Sequence, residues 1–197
     1  NSLGGKGRMA KFTVQSGASV EDFFVNCVPA QFNEAVSGAN VSSLVGKEIH
    51  LQFKVSDSAY CLKIKDGKSV EVIKGDAEKP LLALALSDQV FLDALNGKYQ
   101  GLFDRFIDPV EISDPVKLKN LMDTKGALNL SLTQDGKDIP MAMVFNGESK
   151  PCVDICLELK DWIALQNREV SGQTLFMNGR LKFSGDLGFL MRLQTLM

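Results

Sequence analysis

Between Gly38 and Ile49 the apolar residues of this chain change their spacing from about 3.6 to 2, which calls for helix packed on sheet. Upstream, Val20, Phe23, Phe24, Cys27 and Val28 recur at helical spacing, and Phe32 and Ala35 continue the stripe. Ser19 is placed to cap this helix, Glu21 and Asp22 suit its positive end, and Gly38 is a natural stop. Pro29 predicts a kink or a split. Downstream, Ile49, Leu51, Phe53 and Val55 alternate with His50, Gln52, Lys54 and Ser56, a strand with one wet face. Tyr60, Leu62 and Ile64 alternate with Cys61, Lys63 and Lys65 up to the turn pair Asp66-Gly67, and Val70 and Val72 indicate a third strand. After a polar turn between Gly75 and Pro80, Leu81 to Leu86 reads as a central strand covered on both faces. Ser87 and Asp88 then cap a short helix carrying Val90, Phe91, Ala94 and Leu95, closed by Asn96-Gly97.

From Lys125 the order starts again. Leu128, Leu130 and Leu132 alternate with polar residues, Asp135-Gly136 makes a turn, and Ile139 to Phe145 follows as a strand broken near its start by Pro140. Asn146-Gly147 closes it. Val153, Ile155, Leu157 and Leu159 form another strand, followed by a helix with Trp162, Ile163 and Leu165, a strand around Leu181 and Phe183, and an apolar helix to Met197. Lys79-Pro80 recurs as Lys150-Pro151 at a separation of 71 residues, which also relates Leu86 to Leu157, Asn96 to Asn167, Gly101 to Gly172 and Ser113 to Ser184. Leu118 to Met122 echoes Leu193 to Met197 at a slightly longer separation. The matched order of elements favours an internal duplication over one domain with residues 99–149 inserted. The expected fold is α+β, a mixed sheet covered by helices, in two tandem sheet-plus-helix units. Residues 17–124 form the first unit with its opening helix and 125–197 the second, while 1–16 read as a flexible leader or a cloning remnant.

Composition narrows the function. With 22 basic and 24 acidic residues, nothing suggests a nucleic-acid footprint, so no nucleic-acid partner is expected. The longest apolar run, Leu81 to Leu86, is far too short to span a bilayer, so stable membrane insertion is not expected either. No secretory signal is visible, which points to a cytoplasmic protein. Cys152 and Cys156 sit four positions apart along a strand, roughly 13 Å, too far to share a disulfide or a metal. All four cysteines (Cys27, Cys61, Cys152, Cys156) read as reduced packing residues. His50, the one histidine, lies on a polar strand face with no nucleophile elbow to accompany it. Phosphate-loop and dinucleotide motifs are missing, and Asp154 and Glu158 beside Cys152 and Cys156 read as a solvated face. Lysines from Lys47 to Lys79 are interleaved with acids, again a solvated face. No catalytic residue, metal or cofactor is expected.

At the C-terminus, Phe176-Met177-Asn178-Gly179-Arg180-Leu181-Lys182-Phe183-Ser184-Gly185-Asp186-Leu187-Gly188 resembles the sterol carrier protein family, where a G-K-L-K-I-x-G strand precedes D/N-M-G and an apolar helix. Phe189-Leu190-Met191-Arg192-Leu193-Gln194 is similar to that family's A-M-K-L-Q. Leu86-Ser87-Asp88 with Phe91 to Lys98 resembles the family's strand–helix step ending in T-G-K. Some seventy residues separate these two motifs here, whereas family members place them close together; two family-like units would account for that.

Physically, Gly185 and Gly188 bracket Asp186, which can cap the last helix, and only Arg192, Gln194 and Thr195 are polar from Leu187 on. A helix so apolar is expected to be covered on most sides. The resemblance implies a non-enzymatic carrier holding a fatty-acyl, isoprenoid or sterol-like ligand in an apolar tunnel. A sixteen-carbon tail would gain on the order of 12 kcal/mol gross from burial. The expected contacts are Phe91, Leu95, Phe103, Leu118, Leu121 and Met122 in the first unit. In the second they are Trp162, Phe176, Leu187, Leu190, Met191 and Leu193. The rival expectation is an interaction or assembly module, such as an accessory protein of lipid or quinone metabolism, or a homodimer built on the same apolar surfaces.

Overall fold

Ser19 does begin the first helix: its side chain accepts a hydrogen bond from the Asp22 N–H at 3.1 Å. The computed structural model describes residues 17–99, 102 and 112–196; residues 1–16, including the expected leader, lie outside them. Helix α1 (Val20–Asp22) runs through a π-helical turn (Phe23–Cys27) into α2 (Val28–Ser37), which ends at Gly38. The expected break at Pro29 is instead a widening. A proline has no N–H to donate and crowds the carbonyl four residues back, and the looser π turn lies immediately before it.

The strands are β1 (Glu48–Val55), β2 (Ser58–Lys65), β3 (Ser69–Lys74) and β4 (Leu82–Leu86), after which α3 (Asp88–Leu95) is capped by Ser87. Then come α4 (Pro115–Met122), β5 (Gly126–Gln134), β6 (Lys137–Phe145) and β7 (Cys152–Glu158). The chain finishes with α5 (Leu159–Gln166), α6 (Gly172–Met177), β8 (Leu181–Gly185) and α7 (Leu187–Gln194). Both residues of the Asp135-Gly136 turn have positive φ, as a two-residue hairpin of this hand requires. Helix α6, unmarked in the periodicity, is capped by Ser171.

The eight strands of the described residues join in one sheet of order β3-β2-β1-β4-β6-β5-β7-β8. The α+β mixture is as expected, but the two halves share that sheet, meeting where β4 runs antiparallel to β6. On each side of the seam the same pattern occurs. β1 pairs antiparallel with β2 and parallel with β4, as β5 pairs antiparallel with β6 and parallel with β7. Helix α3 follows β4 as α5 follows β7; each has 8 residues and ends at an asparagine, Asn96 or Asn167. Ser113 and Ser184, matched in the sequence, part company: Ser113 is helical and Ser184 lies in β8.

One sheet face is covered. On it Leu51, Phe53, Leu62, Leu84, Leu128, Leu130, Met141, Met143 and Ile155 are buried and form one continuous core with the helices. On the opposite face β4 offers Ala83 and Ala85, only half-buried, so this strand is not enclosed on both sides as its composition suggests. Further along that face Asn129, Ser131, Asp154 and Cys156 are exposed. Pro140 does not break β6. It pairs with Ser131 of β5, while β4 stops at Leu86 opposite Met141, so no ladder partner on that side is lost.

Candidate functional site

Three apolar side chains in register make a floor across the middle of the sheet. Leu51 of β1 lies beside Leu82 of β4, and Leu82 faces Phe145 of β6. Leu128 of β5 faces Met143 of β6 in the next row. Above this floor is a cavity of about 150 Å³. Its walls are Lys117, Leu118 and Leu121 of α4, Trp162 and Gln166 of α5 and Leu193 of α7, with Ile112 and Leu196 completing them. It therefore straddles the seam, taking side chains from both halves.

The walls are fixed from the sequence upward. Asp114 starts α4, its carboxylate accepting from the N–H groups of Val116 and Lys117 at 2.9 and 3.1 Å, with Pro115 suited to the first helical position. At the other end, the Asn146 amide donates to the carbonyls of Leu121, Met122 and Thr124 at 2.9, 3.1 and 2.6 Å. These carbonyls lie at and just past the end of α4, so the turn after β6 ties down the helix bearing Leu118 and Leu121. Asp186 caps α7 through the Phe189 N–H at 2.7 Å. Phe189 packs over Gly126, where an added Cβ would come within 2.8 Å of its ring, so only glycine permits this approach. Helix α5 is anchored by Asp161, 2% exposed, whose carboxylate accepts from both Nε and Nη2 of Arg180.

Of the residues expected to contact ligand, Leu118, Leu121, Trp162 and Leu193 line the cavity. Phe91 does not: it is fully buried in an aromatic cluster with Phe23 and Phe24, ring centroids 5.4 Å from each. Leu95 is half-buried on α3, Met122 is exposed at the end of α4, and Leu190 is buried against the core, all outside the cavity lining. Phe103 lies outside the described residues. Leu187 and Met191 are 57% and 60% exposed, so α7 buries one face and leaves an apolar one uncovered, against the expectation from its composition. Phe176 is exposed too, its ring 5.3 Å from that of Phe183. The floor residues and Gln166 were missed. Strand alternation marks the former as inward-facing without saying which part of the core is left unfilled, whereas Gln166 sits four residues after Trp162, on the same helix face.

No group of three or more metal-ligating side chains occurs among the described residues. His50 donates to the Glu48 carboxylate at 2.8 Å, and this bond, helped by Lys63 and Lys65, holds the Glu48 carboxyl below its usual range. The four cysteines are free; Cys61 is buried, which pushes its thiol up, but Cys156 is exposed on the open face and so is not a packing residue. Among the described residues no helix is long and apolar enough to cross a membrane.

The family model of the SCP-2 sterol transfer family matches residues 112–197. No curated protein matches the chain. Among solved structures it is similar to Sterol Carrier Protein-2 like-3 from Aedes aegypti, at 17% identity over 43% of this chain and 91% of that one, with a TM-score of 0.34. It is also similar to the sterol carrier protein domain 2 of Helicoverpa armigera, at 20% identity over 48% and 84%, TM-score 0.37. A third is the UbiJ-SCP2 ubiquinone synthesis protein, at 11% identity over 91% and 93%, TM-score 0.29.

Proposed function

We propose that this protein, whose residues 112–197 match the model of the SCP-2 sterol transfer family, is a non-catalytic lipid carrier that takes up the apolar part of a fatty-acyl, isoprenoid or sterol-like molecule over the centre of its sheet. The observation that carries this reading is the apolar cavity bounded by α4, α5 and α7, whose floor crosses the seam of the sheet. At about 150 Å³ its volume equals that of cavities that hold a benzene-sized guest. A full-length chain therefore needs α4 or α7 to give way, each ordinary side chain it displaces being repaid by burial of about 0.8 kcal/mol per methylene.

Trp162, the only tryptophan, lines the cavity and reports its occupancy. Titration with a fluorescent fatty acid should quench or shift the Trp162 emission and saturate at one equivalent. Leu118→Trp, which fills the cavity from its α4 wall, should weaken uptake by at least tenfold while the protein still melts cooperatively. Equal uptake by that variant sinks the reading.

A second reading, an assembly module or homodimer, is favoured by a different observation. Phe176, Met177, Leu187 and Met191 stand exposed on the helices either side of β8, an edge strand of the sheet. A concentration-dependent dimer that Met191→Lys dissociates, in a protein taking up no fluorescent fatty acid, would replace the carrier reading with this one.

A further inference from the structure

Gln166 is the one amide side chain in the cavity lining, and it is 4% exposed. Neither its Nε2 nor its Oε1 has a hydrogen-bond partner among the described residues. Buried amides in folded proteins almost always find partners, because an unpaired one forfeits its bonds to water and gains nothing in return. The contrast with Gln52 is instructive. That amide, 2% exposed, donates to Gly75 O at 3.1 Å and accepts from Ala77 N–H at 2.5 Å, so the fold itself satisfies it. Gln166 instead reaches an apolar space. The rest of the lining offers no carbonyl-type acceptor side chain and no hydroxyl; Lys117 and Trp162 bring N–H donors alone.

We propose that Gln166 is the polar anchor of the cavity, binding the end of a ligand that both gives and accepts a hydrogen bond, as the hydroxyl of a long-chain alcohol does. This rests on the carrier reading above. One hydroxyl pairs both unsatisfied atoms: its O–H donates to Oε1 and its oxygen accepts from Nε2–H. An ionised carboxylate accepts only, leaving Oε1 unpaired and burying a charge against a neutral amide. Lys117, half-buried on α4, is the cationic side chain of the lining.

The test compares three ligands of one chain length, 1-decanol, decyl methyl ether and decanoate, titrated against the full chain with Trp162 emission and native mass spectrometry as readouts. The ether accepts without donating, so it isolates the bond to Oε1. The wild type should bind decanol about tenfold more tightly than the ether, and Gln166→Leu should erase that preference by weakening decanol alone. Gln166→Met, of similar length and flexibility, gives the same result if the leucine variant folds poorly. Equal binding of decanol and ether by the wild type overturns the anchor but leaves the carrier reading intact. So does an equal loss for all three ligands in the variants, the mark of a merely structural glutamine. Preference for decanoate that Lys117→Met removes would move the anchor to Lys117. No binding of any of the three by the wild type overturns both readings.

Discussion

Strand alternation assigned Gln52 to the wet face of β1, and it is buried. The alternation itself is correct, since Gln52 lies opposite Leu51 and Phe53. What it lacks is the loop after β3, which folds over that end of the face and uses the amide as its anchor through Gly75 and Ala77. Long-range closure of this kind leaves no periodic trace. Arg180 shows the opposite case: it stands in the motif that resembles the family, and only the structure shows what it does there. Its guanidinium is half-exposed, but the Asp161 carboxylate it pairs with is not. Arg180→Leu would strand that buried charge, and a broken buried pair costs roughly 3–5 kcal/mol. With half of the guanidinium in water, about 2–3 kcal/mol is the reasonable expectation. Urea unfolding monitored by circular dichroism should show the loss, and Asp161→Asn in the Arg180→Leu background should recover part of it. A loss no larger than that of an ordinary surface substitution would mean that Asp161 finds another partner.

At the scale of elements, caps and turns were the most legible features. Ser19, Ser87, Asp186 and the Asp-Gly pairs all act where local chemistry puts them, because each needs only residues within three or four positions. What the local signals could not give was which apolar helix face is covered. Helix α7 carries apolar residues nearly all round, yet only Phe189, Leu190 and Leu193 are buried, since the sheet meets it on one side alone. The internal comparison of helices does yield a substitution. Helices α3 and α5 both end in an asparagine followed by a left-handed residue: Gly97 at φ 87° and Arg168 at φ 60°. Glycine takes that conformation freely, whereas an L side chain there is strained by about 1–2 kcal/mol. Arg168→Gly should therefore stabilise the protein by about 0.5–1 kcal/mol, part of the relief being cancelled by the greater freedom of glycine in the unfolded chain. A rise in the urea midpoint with an unchanged slope is the expected signature; a fall would show that the Arg168 side chain contributes more than its backbone costs.

For the whole molecule, a matched order of elements was visible in the sequence, and the manner in which the two halves combine was not. The separation of 71 residues holds through β4–α3 and β7–α5, down to the helix-ending asparagines, which supports the tandem reading. It gave no hint that β4 and β6 would pair, because an interstrand ladder depends on backbone groups common to every residue. Yet the seam decides the character of the molecule. Five residues of β4, Leu82 to Leu86, are bonded to β1 on one side and to β6 on the other, and Leu82 and Phe145, opposite one another across the seam, both line the cavity. Separating the halves would expose two strand edges and the apolar floor together, an opening as costly as unfolding either half. The amides of β1, β4, β6 and β5 should accordingly exchange with solvent deuterium at one common free energy, equal to the global unfolding free energy from denaturant titration. On the carrier reading, ligand that fills the cavity should raise all four strands by the same increment, since the cavity lining comes from both halves. If β1 and β4 exchanged at a markedly lower free energy than β5 and β6, the halves would be separate folding units in contact, and residues 112–197 would need to hold ligand without Leu51 and Leu82.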